Sequence, residues 1–580
     1  DDSSVHLNAK VTFLKNNPVN NNSVKLSLMG RAQLKCIRGV VEILGYQLDP
    51  SHDKVPVESP PWSSLLVFEP KISGEEQQGE EGAIIQIESW WPQKAENHNE
   101  PTFELVQSSS PGVRPTIIPS TWEHAMDIIL PQLQPEESKP AFLRNALEPE
   151  EEDDPCSTGN NKQHFCMAIC GAKSVGKSTF LRYATNRMLH DTNNSISRVA
   201  ILDADVGQPE MSPPGMVTLT IVSEPFWTPP HYRSMANIAY EQQYSYFFGS
   251  TTSKNDPTRY ISMVKKLQQH YEQDVADKDI PLLVNLDGWV KGLGYELLTA
   301  LLTEVLNPTH VVQIVGTTKS KQFQLREVLN PETSSAQLHV VYSYDSTLNI
   351  TLDPQAQTNG TSGKLNGVTN ATAVATPQVP ISIGMPAHAL RSLRLCTYFL
   401  NDVTIWYYLG FSHDGIGDDT CEIANRLTAT LPYAVPFEAV DILWEGSDHF
   451  SDLCRKSSAI HADLILDALN ARIVGLCCRP TVESATPSQD DDCFPCIGLG
   501  LIRSIDREKR LFYILTPVES QRLKDVNILV GGTIDMPMEF CYRGVHAEAF
   551  PYHSLAPASV LIGADPMKSR NNIARKSLNK

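Results

Sequence analysis

Residues 164–180 read HFCMAICGAKSVGKSTF, and this stretch decides the fold. The run 164–170 is short and apolar, the length of a buried strand. Residues 171–178, GAKSVGKS, follow at once and satisfy G-x-x-x-x-G-K-[ST] at every fixed position. Residues 179–190 then read as a helix. A chance glycine-rich turn would lack these flanks. Strand, glycine loop and helix in that order make a phosphate site: backbone N–H groups turn inward around phosphate oxygens, and the helix N-terminus adds its positive dipole end. Lys177 is placed to reach the outer phosphates of a nucleotide, and the Ser178 hydroxyl to ligand Mg²⁺.

The chain has 580 residues, too many for one core, so two to four domains are expected. Its 41% hydrophobic and 20% charged residues are ordinary for a globular chain. No apolar run approaches the roughly 20 residues that span a bilayer, so no membrane association is expected. The first residues, Asp1-Asp2-Ser3-Ser4, are not a signal peptide, and a targeting segment upstream of them would lie outside this sequence. The formal net charge of −19 argues against a general polyanion binder but leaves room for a local basic groove. The 12 cysteines do not form a disulfide scaffold, since Cys166, Cys170 and Cys396 sit in apolar runs, as reduced buried thiols do. Cys477-Cys478 and Cys493-x-x-Cys496 invite a zinc reading, but the first pair is adjacent rather than spaced, which argues against it.

Residues 1–150 carry strand-like segments at 24–28 and 40–46, broken by Pro, Gly and Asn, and read as a mostly β domain. An acidic linker, 151–162, separates it from 163–404, where strand candidates (198–204, 282–286, 310–315) alternate with helix candidates (292–306, 320–329). That alternation predicts a parallel sheet with helices on both faces. Residues 353–380 are low in complexity and read as a disordered insertion. A helix follows over 385–400. Residues 405–565 read as an α+β domain, and 566–580 as a basic tail.

Three further stretches narrow the chemistry. In 201–215, ILDADVGQPEMSPPG ends an apolar strand, and Asp203 and Asp205 share one side of an extended segment. One could hold a metal while the other orients or deprotonates a hydroxyl; the bland alternative is a solvated strand end. In 284–295, VNLDGWVKGLGY ends a second strand, and Trp289 offers a stacking face beside Lys291. A core tryptophan is an equal reading of the same residues. In 387–399, Arg391 and Arg394 are three apart and share a helix face, either as a solvated stripe or as a lid over a transferring phosphate.

Taken together, GAKSVGKST, LDADVGQPEMSPPG and LDGWVKGLGYELL resemble, in order and spacing, the polynucleotide 5′-hydroxyl kinases. That family includes the kinase subunit of the mRNA 3′-end cleavage factor and a nucleolar relative in pre-rRNA processing. The SPPG at 212–215, the segment FFGSTTSKNDPTRY at 247–260 and LFYILTPV at 511–518 favour the nucleolar branch. The resemblance implies an α/β P-loop kinase core between an N-terminal β domain that covers the adenine and a C-terminal α+β domain that carries partner contacts. It implies transfer of the ATP γ-phosphate, with Mg²⁺, to the 5′-hydroxyl of RNA or DNA. By motif, Gly171, Ala172, Lys173, Ser174, Val175, Gly176, Lys177, Ser178 and Thr179 bind ATP. Asp205 is the carboxylate beside the reacting hydroxyl, and Asp203 its alternative or metal partner along with Ser178. Gln208, Trp289 and Lys291 hold the substrate end, and Arg391 and Arg394 are the lid arginines. The implied setting is the nucleus and nucleolus, in a hetero-oligomer with an RNA endonuclease that cuts a pre-rRNA spacer and leaves a 5′-hydroxyl.

Two rivals are a catalytically silent ATP-bound scaffold subunit and a switch GTPase. Intact Lys177, Ser178, Asp205 and Trp289 speak against the first, and the absence of N-K-x-D against the second.

Overall fold

A computed structural model describes residues 9–15, 25–60, 62–71, 82–90, 103–110, 113–133, 164–190, 196–233, 240–241, 243–276, 279–329, 335–343, 385–402, 405, 419–444, 466–479 and 493–541. The expected linker 151–162, insertion 353–380 and tail 566–580 lie outside the described residues.

The first layer is antiparallel. Its strands are β1 (Ala9–Lys15), β2 (Leu26–Arg38), β3 (Val40–Ile43), β4 (Tyr46–Leu48), β5 (Val55–Ser59), β6 (Leu66–Lys71), β7 (Gly82–Ser89) and β8 (Phe103–Gln107). They run in the order β1-β7-β2-β6-β3-β4, with β5 and β8 also paired to β2. β2 is 13 residues long, and its first half pairs with β6 and β8 while its second half pairs with β5 and β7. Alternating burial along β6 and β7 turns Leu66, Phe68, Ile85 and Ile87 into one core with Leu28 and Val41. One charged group interrupts this pattern. Arg31 on β2 is buried against Glu58 at 3.2 Å, and Glu58 lies 3.1 Å from His231 of the central domain.

Helix α1 (Ser120–Ile129) follows in sequence but packs elsewhere. Trp122, Ala125, Met126 and Ile129 form its apolar stripe and join the core of the central sheet. The Trp122 indole N–H donates to the Tyr342 carbonyl at 2.9 Å.

The central sheet contains β9 (Cys166–Gly171), β10 (Val199–Asp203), β11 (Met216–Val222), β12 (Gln243–Phe247), β13 (Leu282–Asn285), β14 (His310–Val315) and β15 (Gln337–Tyr342). Its helices include α2 (Lys177–His190), α3 (Pro257–Asp274) and α4 (Leu293–Ala300). Strand order is β12-β11-β10-β13-β9-β14-β15. Every residue of β9, β10 and β13 is buried, and since successive side chains face opposite ways, both faces of the sheet are covered. Five strands, β10 to β15 through β13, β9 and β14, are parallel. The other two depart from the expected all-parallel sheet: β11 and β12 add antiparallel at one edge. The connection 204–215 holds no crossover helix, so the chain returns beside β10 in the opposite sense.

The helix expected over 320–329 is broken into a tight turn at Lys319–Lys321 and a second turn in which the Val328 and Leu329 N–H groups donate to the Leu325 carbonyl. Side chains capture its carbonyls: Gln313 donates to Phe323 O at 2.5 Å and Tyr295 to Gln324 O at 2.8 Å.

The third layer has α5 (Ala387–Leu400) and α6 (Asp419–Ala429). Its strands are β16 (Tyr433–Pro436), β17 (Asp441–Trp444), β18 (Ile473–Cys477), β19 (Cys496–Asp506), β20 (Leu511–Leu515) and β21 (Ile528–Gly531). Strand order is β16-β20-β19-β18-β21-β17. Leu393, Cys396 and Phe399 of α5 pack with Ile473, Leu499 and Val530 in a core that also takes Met216 and Phe247 from the central sheet. The Tyr398 hydroxyl accepts from Leu499 N–H at 2.8 Å. The arginine helix is therefore anchored on the C-terminal sheet.

Candidate active site

The C-terminal ends of β9, β10 and β13 open onto a cavity of about 560 Å³. Ligands sit at this edge of open α/β sheets. β9 runs into the glycine loop, where Ser174 and Gly176 take positive φ values of 60° and 103°. A Cβ on Gly176 would also press on the Trp122 ring at 3.0 Å. α2 begins at Lys177, whose side chain is buried with Nζ 3.4 Å from the Ala172 carbonyl, inside the curl of the loop.

From the loop, Lys173, Ser174, Gly176, Lys177, Ser178 and Thr179 line the cavity; Gly171, Ala172 and Val175 shape it from behind. From the β10 loop come Asp205 and Gln208. Asp205 Oδ1 accepts from Gly207 N–H at 3.1 Å and Gln208 N–H at 3.0 Å, a tight turn that turns these residues into the cavity. Trp289, half-buried, and Arg391 of α5 also line the cavity.

Asp203, two residues before Asp205, is placed quite differently. It is fully buried and outside the cavity lining among the described residues. Oδ1 accepts from Asn285 Nδ2 at 2.9 Å, and Oδ2 accepts from Met211 N–H at 3.1 Å and from Glu210 N–H. Burial pushes its carboxyl up to about 7, aided by Asp205 and Glu210 and opposed by the Asn285 bond. Its oxygens are spent on the loop, so Asp203 does not fit the expected place beside a metal. Arg394 is likewise buried and outside the lining, donating to the Pro209 carbonyl. Lys291 Nζ donates to the Lys319 carbonyl at 3.3 Å and is also outside the lining.

Among the lining residues given no role by the sequence, two are charged, Asp287 and Lys254. Asp287 follows β13, the strand between β9 and β10. Its Oδ2 accepts from Ser253 Oγ at 2.5 Å, and its Oδ1 from Trp289 N–H at 2.9 Å. Burial raises its carboxyl, and Asp205 raises it further. The turn after it lies directly on the phosphate loop: a Cβ on Gly288 would stand 2.9 Å from Lys173 N and 3.2 Å from Lys177 Nζ. Lys254 is the other, with Nζ 4.8 Å from the centre of the Trp289 ring. The signal for Asp287 was present, an apolar run 282–287 ending in an acid; exposed Lys254 had none.

The donor set suits Mg²⁺, a hard cation that prefers oxygen. The Ser178 hydroxyl and the Asp205 and Asp287 carboxylates share one cavity, and the charge on Asp205 is near enough to oppose ionisation of Asp287.

The family model described as the P-loop of mRNA cleavage and polyadenylation factor CLP1 matches residues 171–344. The model for the N-terminal domain of polynucleotide 5′-hydroxyl-kinase NOL9 matches 9–91, and the NOL9-like C-terminal domain matches 428–537. The polynucleotide 5′-hydroxyl-kinase NOL9 of Arabidopsis thaliana is 30% identical over 404 residues, covering 68% of this chain and 91% of that protein. This chain belongs to the polynucleotide 5′-hydroxyl-kinase family, in its NOL9 branch. It is an enzyme of that family with the P-loop kinase domain in place, and the fold implies nucleotide use. The human NOL9 protein is 30% identical over 431 residues, 69% of this chain and 54% of that one. The grc3 kinase of Schizosaccharomyces pombe is 26% identical over 449 residues, 71% and 54%. The chain thus spans about half the length of these two relatives. A solved structure of Clp1p with Pcf11p superposes with a TM-score of 0.51 at 13% identity, over 92% of this chain and 100% of that one, which supports the shared fold.

Proposed function

We propose that the chain transfers the γ-phosphate of ATP to the 5′-hydroxyl of an RNA end during pre-rRNA spacer processing. The observation that carries this reading is the single cavity in which Lys177, Ser178, Asp205 and Trp289 meet. Lys177 and Arg391 stabilise charge on the transferring phosphoryl group. Asp205 orients the 5′-hydroxyl and takes its proton. Trp289 stacks the terminal base, and Gln208 helps seat the ribose end. When bound, Mg²⁺ supplies charge neutralisation on the phosphates, and Ser178, Asp205 and Asp287 offer its oxygen donors.

The cavity's cationic lining supports a polyanionic substrate despite the net charge of −19. Lys173, Lys254 and Arg391 line it, and Lys321 Nζ rests 3.1 Å from the Ser174 carbonyl on the same loop. A second cavity, about 640 Å³, lies between the β domain and the segment leading into α1, lined by Leu44, Leu66, Ile118 and Glu123 among others. We place the adenine on this side, since Trp122 of α1 rests against Gly176. Branch membership supports a nucleolar setting and an endonuclease partner that supplies 5′-hydroxyl ends. No helix among the described residues is long and apolar enough to cross a membrane.

A transfer assay with γ-labelled ATP and a 5′-hydroxyl RNA tests the chemistry. Label on the 5′ end is expected, and its absence overturns the reading. Co-purification from cells should bring down a nuclease and pre-rRNA; their absence would remove the processing role.

A further inference from the structure

A buried charge cluster centred on Glu210 lies outside the cavity lining. Glu210 is 1% exposed and follows the loop that presents Asp205 and Gln208. Its carboxylate accepts from Arg182 Nε at 2.9 Å and Arg182 Nη2 at 2.8 Å, a two-pronged pair, and from Arg233 Nη2 at 2.5 Å. Burial alone would push this carboxyl up, yet Arg182, Arg233 and Arg394 hold it at about 2.

Each partner comes from a different element. Arg182 lies on α2, one helical turn after Ser178, so it fixes the loop to the helix that carries the phosphate site. Arg233 closes the short helical turn Pro230–Arg233. Arg394 lies on α5, three residues after the cavity-lining Arg391, and grips the carbonyl just before Glu210. On its inner side the loop is held by Asp203, which accepts the Glu210 N–H. A solvated arginine stripe would leave Arg394 exposed, and a phosphate contact would place it in the cavity; it is 7% exposed and in neither place.

We propose that Glu210 is a positioning residue that locks the Asp205 loop, the phosphate-loop helix and the arginine helix into one unit, with Arg394 serving that unit rather than the transferred phosphate. This role presupposes the kinase reading above. Buried ion clusters give little net stability relative to well-packed apolar groups, but they fix geometry, and misplacing reacting groups by about 1 Å costs on the order of 100-fold in rate.

The test uses the whole chain, γ-labelled ATP and a 5′-hydroxyl RNA oligonucleotide. Arg394→Met leaves Glu210 paired with Arg182 and Arg233, so the fold should stand. Its kcat should fall on the order of 100-fold while KM for ATP stays within about twofold and Tm stays near wild type. Combined with Glu210→Gln, the loss should not exceed that of the worse single variant, because the two act as one unit. If Glu210→Gln fails to fold, the kcat and KM split of Arg394→Met decides alone. Three results overturn the proposal: an Arg394→Met kcat equal to wild type, a raised KM for ATP, or losses that multiply in the double variant. A wild-type chain that transfers no phosphate would instead sink the kinase reading itself.

Discussion

The phosphate loop and the arginine helix face the same cavity, yet they are held there by different means. The loop takes its shape chiefly from its own backbone: eight consecutive residues, two of them at positive φ, curl around the Lys177 ammonium. The arginine helix α5 is held by distant partners, with Leu393, Cys396 and Phe399 on the C-terminal sheet and Arg394 on the β10 loop. A site part built by its own backbone can be read in a sequence, and its side chains can be changed without unfolding it. A part held from afar shows its helix in the sequence but not its anchors, and losing an anchor displaces the site it holds.

The largest expected effect falls on the self-held part. Lys177→Ala should abolish phosphoryl transfer with Tm and RNA binding close to wild type, as its proposed contact with the transferred phosphate requires. Residual transfer near the wild-type rate would place the chemistry elsewhere.

The β10 loop sharpens the contrast within two residues. Asp205→Asn should slow transfer by about 100-fold or more with little change in Tm, as expected for a lost proton-transfer group. Asp203→Asn should act mainly on stability, since its oxygens hold Met211, Glu210 and Asn285. Melting curves and kcat on both variants check this. A stable Asp203→Asn with the larger loss of kcat would reverse the two roles.

Trp289 combines both kinds of support. Its ring packs over Gly294, where a Cβ would come within 2.4 Å, and its backbone N–H donates to Asp287. Trp289→Ala should weaken RNA-end binding by about 1–3 kcal/mol, the worth of one stacked base, with ATP affinity retained. A lowered Tm with both affinities falling together would make the residue packing only.

The smallest effect lies away from the cavity, on the central sheet that carries the phosphate loop. Burial first, and then His339, holds the His310 imidazole at about 4 against an ordinary 6.5. The folded chain therefore binds fewer protons than the unfolded chain across that window, and stability falls as pH drops from 6.5 toward 4. His310→Gln should flatten this slope in melting temperature against pH; an unchanged slope would clear the pair of any part in it.

Legibility follows the same division. The strands β9, β10, β13 and β14, the helix α2 and the lining residues Lys177, Ser178, Asp205, Gln208 and Trp289 were readable because each depends on neighbours in sequence. Four features depended on tertiary partners and were not. Arg394 shares a helix face with Arg391, but only the fold shows Pro209 waiting for it. The apolar stripe of α1 says that it packs, not that it packs on the central sheet. Residues 320–329 had helical composition, and Gln313 and Tyr295 took the carbonyls. The antiparallel edge β11–β12 follows from a helix-free connection. Asp287 is a different case: its apolar strand was read, and the acid at its end was passed over for the tryptophan two residues later.

The most direct measurement compares label transfer from γ-labelled ATP to one RNA oligonucleotide bearing either a 5′-hydroxyl or a 5′-phosphate. A cavity that seats a 5′-hydroxyl beside Asp205 and a phosphate on Lys177 should label the first and not the second, and phosphatase should remove the label. No transfer to the 5′-hydroxyl end, or equal transfer to both, would contradict the account.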